Sequence, residues 1–250
     1  MQTTQVFAPA KINLSLKILS RRVDGVVFMS HSDLYEYKHL EELPKNGIPL
    51  VVINRYFEHS KIHRIWINHL GAAREQMKHL IDSGHRRIAF VGESPKMRTQ
   101  ANIERLKAYR ALAEENGIST HGLERFADVA DVGSGVAAAR ELLSRGKTKR
   151  PTAFLAGNDY QAVGIIRAAR EAGLRIPHDV AVIGNDNLPQ SLTSEPPIST
   201  AAQPLADAGR LAIEILLRQI NKPIGRAEFH LLDCAIIHRE SCCVQKVGDK

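Results

Sequence analysis

Short runs of almost wholly apolar residues recur along this chain, separated by stretches in which apolar residues return every three or four positions. Residues 26–29, 50–53, 62–67, 87–91, 153–156 and 180–183 are of the first kind. Brief, β-branched and apolar on both faces, they predict strands buried in a parallel sheet. Between them, Leu70, Ala73, Met77, Leu80 and Ile81 repeat with helical spacing, and Gly84 follows where a left-handed residue stops a helix. The same periodicity predicts helices over 99–115, 134–145, 159–172 and 204–220. In the last of these Leu205, Ala208, Leu211, Ala212, Ile215 and Leu216 form one stripe, with Pro204 at the expected first position. Strands alternating with helices define an α/β protein with parallel sheets and helices on both faces. Residues 12–18 differ: Ile12, Leu14, Leu16 and Ile18 alternate with polar residues, the period of a half-exposed edge strand.

Parallel strands of this kind converge their carboxyl ends on one edge of a sheet, where ligands bind. Polar residues stand at four such ends: Asn54 and Arg55, Glu93 and Ser94, Asn158 and Asp159, and Asn185, Asp186 and Asn187. Carboxamides, carboxylates and a guanidinium can make paired hydrogen bonds to hydroxyls or ring nitrogens. Each of these residues also suits an Asx turn or a helix N-cap.

The 250 residues suffice for one large domain or two smaller ones, and 44% hydrophobic content is that of a globular protein. No apolar run is long enough to cross a bilayer and no export signal heads the sequence, so a cytoplasmic location is expected. The net charge of +7 favours polyanions, but the basic residues are scattered and no helix-turn-helix pattern accompanies them. Cys234, Cys242 and Cys243 contain no C-x-x-C pair. They read as inert strand residues, and neither disulfides nor a metal site is expected. His59 and His63 lie four apart without an intervening Glu, and they read, like His31 and His39, as solvent-facing. Gly133-Ser134-Gly135 is the nearest approach to a phosphate loop. With Asp131 placing a negative charge just ahead, it reads instead as a helix start capped by Ser134. No catalytic constellation emerges; no enzyme and no cofactor is expected.

Several strings resemble, in order, those of the LacI/GalR family of transcription regulators: SRRVDGVVF, GIPLVVINR, HLIDSGHRRIAFVG, ERLKAYRAL, RPTAFLAGNDYQAVGIIRAAREAGLRIPHDVAVIGNDN, PPISTAAQP and HRESC. The resemblance covers about residues 19–243 and concerns the effector-binding core, which is similar to type I periplasmic sugar-binding proteins. It implies two doubly wound parallel-sheet lobes linked by three chain crossings, with a small-molecule effector between them. The first lobe would hold 1–67 plus 203–222, and the second 68–202 plus 223–250. Effector contacts carried over by position are Arg105, Asp186, Asn158, Asp159, Asn54 and, more weakly, Gln203. Arg105 opposite Asp186 could bracket the vicinal hydroxyls of a sugar or the edge of a nucleobase, and the alternative is a salt bridge across the cleft. Where the family usually shows an aromatic residue and a carboxylate before its second Asp-like position, this chain has Asn185-Asp186-Asn187.

A full family member carries a DNA-reading headpiece and two further βα units before SRRVDG. The resemblance therefore implies a truncated first lobe, a homodimer paired through the cores, and operator DNA reached only through a headpiece absent from this chain. The opening MQTTQVFAPAKINLSLKIL instead resembles the start of diphosphocytidyl-methylerythritol kinase of the GHMP kinase family, overlapping the other resemblance at SRRVDG. A periplasmic-type solute-binding protein and, more remotely, a kinase fragment are the alternative functions.

Overall fold

The computed structural model describes residues 23–29, 37–55, 61–97, 99–223 and 225–242. The alternating segment 12–18 and the kinase-like opening, together with His31, His59 and Cys243, lie outside the described residues.

Two parallel sheets organise the chain. Strands β1 (Val26–Met29), β2 (Leu50–Ile53) and β3 (His63–Ile67) lie side by side, and β9 (Phe229–Leu232) joins them parallel to β3, giving the order β1-β2-β3-β9. The second sheet runs β10-β8-β7-β6-β4-β5, from β4 (Ile88–Glu93), β5 (Glu124–Ala127), β6 (Ala153–Ala156), β7 (Ala181–Asn185), β8 (Ser199–Ala202) and β10 (Ala235–Ile237). All its pairings are parallel except that of β10 with β8. Every residue of β2 and β6 is buried, as an all-apolar strand covered on both faces requires.

Each sheet is sandwiched by helices. α7 (Leu205–Asn221) lays Ala208, Ala212, Ile215 and Leu216 on Val51, Ile53 and Ile65 of the first sheet, while Leu40 and Leu43 of the 3-10 turn and short α1 (Glu42–Lys45) cover its other face. α2 (His69–Asp82) and α3 (Gln100–Glu115) cover one face of the second sheet through Met77, Leu80, Leu106, Tyr109 and Leu112. α4 (Val132–Leu143) and α5 (Asp159–Glu171) cover the other, and α6 (Pro189–Thr193) follows β7. Among the described residues no helix is long and apolar enough to cross a membrane.

Three expectations shift. Residues 223–250 do not all join the second sheet: Phe229–Leu232 fills the open edge of β3, and only then does the chain cross back to form β10. Pro204 is the N-cap of α7 rather than its first residue. At the glycine-rich 133–135 segment the cap is Asp131, whose carboxylate accepts the Ser134 amide at 2.8 Å while the Ser134 hydroxyl accepts the Asp131 amide at 3.1 Å. Gly135 has a separate reason to be glycine. A β-carbon there would overlap the backbone carbonyl of Gln161, and one at Gly164 would overlap that of Val132, so α4 and α5 touch backbone to backbone.

Gly135→Ala should therefore force the two helices apart and lower stability by about 1–3 kcal/mol. Gly146→Ala, whose β-carbon meets nothing within 4 Å, should change it by less than about 0.5 kcal/mol, both read from urea unfolding midpoints. The first sheet should also open more readily than the second. Its end strand β1 is only half-buried, with Met29 50% exposed, whereas β6 and β7 are wholly buried. Amide exchange should be faster in β1 than in β6 and β7, and equal protection would contradict this.

Candidate functional site

The chain passes between the sheets three times, at Asn68, at Gln203-Pro204 and at Asp233-Cys234. The first and third passages are laced together. Asn68 donates its amide to the Leu232 carbonyl at 2.8 Å and its side-chain Nδ2 to Asp233 Oδ1 at 2.7 Å, while its Oδ1 caps α2 at the Gly71 amide.

Beside these passages lies a chain of polar side chains centred on Arg105 of α3, which is only 6% exposed. Its Nη1 donates to the Gly157 carbonyl at the end of β6 at 2.8 Å, and its Nη2 donates to Asp186 Oδ1 at 3.1 Å. Gln203 Nε2, on the second passage, donates to the same Asp186 oxygen at 2.6 Å. The Arg105 Nε is buried with no hydrogen-bond partner among the described residues. A buried guanidinium that leaves one donor unanswered is costly, so this is a place where an acceptor belongs.

On the other side of Arg105 stands His69, the first residue of α2, whose Nδ1 lies 3.5 Å from Arg105 Nη2 and whose Nε2 lies 3.2 Å from Asn54 Nδ2. Asn54 is fixed in orientation because its Oδ1 accepts the Ile67 amide at 2.8 Å. Both of these contacts come from donor groups, so the roles of the two ring nitrogens depend on the tautomer. Glu104 continues the cluster: its Oε1 accepts Trp66 Nε1 at 2.9 Å and its Oε2 accepts the Leu70 amide at 3.2 Å. Trp66 is the one tryptophan of the sequence, so the cluster has its own fluorescent reporter.

Backbone geometry helps to aim these groups. Asn54 (φ 56°), Asp186 (φ 95°) and Asn187 (φ 51°) take positive φ at the ends of β2 and β7, where Asn and Asp tolerate a conformation that other side chains resist. Asn187 is then held by Arg239 Nη2 at 2.7 Å.

Of the residues singled out in the sequence, Arg105, Asp186 and Gln203 are in direct contact, and Asn54 joins them through His69. The salt bridge does not span the two sheets, since α3 and the β7 loop both belong to the second. Asn158 and Asp159 spend their polar atoms elsewhere. Asn158 is the N-cap of α5, accepting the Gln161 amide at 2.8 Å and donating to the Ala130 carbonyl at 2.9 Å. Asp159 is fully buried, with Oδ1 accepting the Thr200 hydroxyl and Oδ2 the Leu188 amide, both at 2.7 Å. Glu93 accepts the Thr99 hydroxyl, and Arg55 stacks on Tyr37 with its guanidinium carbon 4.4 Å from the ring centroid. His63 is buried, not solvent-facing: its Nδ1 accepts the Glu228 amide at 3.2 Å, and burial lowers its pKa. Neither Cys234 nor Cys242 lies in a strand. Cys234 sits on the third passage, where burial pushes its thiol up to about 11 against the pull of Arg105. His69 and Glu104 went unmarked in the sequence, although Glu104 adjoins Arg105 in ERLKAYR and His69 follows a strand end.

Two parallel α/β sheets joined by three passages, with a polar cluster where they meet, define a ligand-binding core of the periplasmic-binding-protein type. Residues 77–242 match the family model of the periplasmic binding protein-like domain, and the chain belongs to that family. Catabolite control protein A of Priestia megaterium is 32% identical over 213 residues, which are 85% of this chain and 62% of that protein. This chain thus spans less than two thirds of that relative. A regulatory protein of the LacI family from Chloroflexus aggregans has the same fold with a TM-score of 0.80 and 30% identity, over 88% of this chain and 77% of that one. The complex of the transcriptional regulator CelR with cellobiose gives a TM-score of 0.74 and 31% identity, over 88% of this chain and 66% of that one. The family model does not reach the kinase-like opening.

Burial raises the Asp159 carboxyl to about 6 from its usual 3.8, against the opposing hydrogen bonds from Thr200 and Leu188. Because the folded state then holds a proton that the unfolded state has released, stability falls as pH rises from about 4 to about 6. The stability of Asp159→Asn relative to the natural protein should therefore increase across that window, by up to about 3 kcal/mol, and then stay level to pH 8. Parallel urea titrations at several pH values check this; a difference that does not change with pH contradicts it.

Proposed function

We propose that this chain is the effector-sensing core of a LacI-type transcription regulator, which binds a small hydroxylated molecule of the sugar class between its two sheet units. The observation that carries the reading is the buried Arg105–Asp186 pair with its unanswered Nε, set at the carboxyl ends of β6 and β7 and linked to a passage residue, Gln203. A fork of donors beside a carboxylate suits vicinal hydroxyls, which can donate to Asp186 and accept from Arg105 at once. Asp186 Oδ2 accepts no hydrogen bond from a described residue and offers the first acceptor. Arg105 and Asp186 would serve as the primary contacts, with Gln203 and Asn54 at the flanks. Asn158 and Asp159 act in this reading as supports that hold the β6 and β7 loops in place. The cellobiose held by CelR is the kind of molecule this chemistry fits.

In this reading the core binds its effector without transforming it, and burial holds the thiol of Cys234 protonated at neutral pH. Effector binding would draw the two units together by rotation about the three passages, and in the whole regulator, working in the cytoplasm as a homodimer, that rotation would change the grip of a DNA-reading headpiece on its operator. The lobes in this reading are 23–67 with 205–232, and 69–202 with 235–242.

Thermal-shift screening against mono- and disaccharides, nucleosides and purine bases tests the proposal. A sugar should raise the melting temperature by an increment that grows with concentration, worth about 2.7 kcal/mol at a hundredfold excess over Kd, and should alter Trp66 fluorescence. Asp186→Ala should abolish both responses. A sugar response that persists in Asp186→Ala would remove this site, and stabilisation by a purine alone would replace the ligand class.

A further inference from the structure

Away from Arg105, at the other end of α2, three side chains able to bind a metal come together. His79 lies in the last turn of that helix, His238 directly follows β10, and Cys242 sits in the turn four residues further on. One ligand atom from each lies within 4.8 Å of the others. Cys242 Sγ is 3.4 Å from His79 Nε2, and the two imidazole rings are 4.6 Å apart between centroids and tilted by 48°. Sequence spacing concealed the group, because one member is more than 150 residues from the other two and no C-x-x-C pair marks it.

We propose that His79, His238 and Cys242 form a zinc site that clips the C-terminal segment onto α2, a role independent of the effector reading. Two imidazole nitrogens and a thiolate are the donors that Zn2+ prefers over the harder oxygen-seeking cations. In a tetrahedral zinc centre neighbouring donors stand about 3.3–3.8 Å apart, so the widest separation has to close by about 1 Å. His238 is exposed and can swing on its side-chain bonds to close it, while Cys242, only 2% exposed and packed in the core beside Met77 and Leu80, provides the fixed point. The exposed side of the group leaves the fourth position to water. Burial and the neighbouring His238 lower the pKa of His79, against the opposing effect of a hydrogen bond to the Cys242 backbone. Binding converts the Cys242 thiol to thiolate and releases its proton, so affinity must rise with pH.

The whole chain, reduced and stripped of metal, is titrated with Zn2+ against a chromophoric chelator and, separately, with Co2+. One equivalent should bind, the cobalt form should show thiolate-to-cobalt charge-transfer absorption in the near ultraviolet, and Zn2+ should raise the melting temperature. His238→Gln, an exposed change that leaves the core intact, should weaken Zn2+ binding by about tenfold or more. Cys242→Ser should eliminate the charge-transfer band. A cobalt spectrum without thiolate character, a band that survives in Cys242→Ser, or an affinity unchanged in His238→Gln would each overturn the assignment. If Cys242→Ser fails to fold, the His238→Gln titration decides alone.

Discussion

A guanidinium removed from water must have its charge answered, and in this protein that requirement fixes where the loops of the second sheet can go. Arg105 is brought inside by α3, whose Leu106, Tyr109 and Leu112, over the following two turns, anchor the helix in the apolar core. Once there, it needs acceptors with fixed positions. The Gly157 carbonyl comes from the end of β6, and the Asp186 carboxylate comes from a residue held at positive φ beyond β7. An isolated buried charge would be worth several kcal/mol of instability, and a paired one with hydrogen bonds is tolerable. The loops after β6 and β7 are therefore bound to one cation. The buried carboxylate of Asp159 reinforces them from below, through Thr200 on β8 and the Leu188 amide.

Much of the fold was legible because burial on both faces writes an unmistakable pattern. LVVI, AFLA and AVIG have no polar residue, and each turned out to be an inner strand. The strands that escaped notice are those whose environment is mixed. ERFA of β5 and FHLL of β9 lie at sheet edges and alternate polar or exposed positions, and STAA of β8 is made of small residues whose burial comes from packing rather than hydrophobicity. β9 also misled the assignment of the C-terminal segment, since nothing in FHLL says which of two open edges it will meet. That choice is a tertiary one: the first sheet offered β3, and the strand that follows was left for β8.

The site was legible to the extent that strand ends were. Asn54 and Asp186 stood out as polar residues directly after apolar runs, and Arg105 through its resemblance to family members. His69 did not, because a histidine at the start of a helix has no pattern of its own, and its position between Asn54 and Arg105 arises only when the first passage folds back against α3. Asn158 and Asp159 show the converse. They carry the same signal as Asp186, a polar residue after a strand, yet the helix that begins immediately after β6 claims Asn158 as its cap and carries Asp159 inward toward Thr200.

The three passages between the sheets are not equivalent, and the difference bears on how a ligand could be sensed. The passages at Asn68 and Asp233 are bonded to each other through backbone and side chain, so they must move together as one strap. The passage at Gln203 is tied differently: its side chain reaches the second sheet through Asp186 Oδ1, the oxygen that also receives Arg105. One carboxylate oxygen thus holds both the Arg105 guanidinium and the passage at Gln203. In the proposed reading, a hydroxyl that bonds Asp186 Oδ2 would pull on the same carboxylate that Gln203 holds through Oδ1. Its binding energy would then be felt at the passage through one side chain, because the proposed ligand contact and the Gln203 contact share one carboxylate.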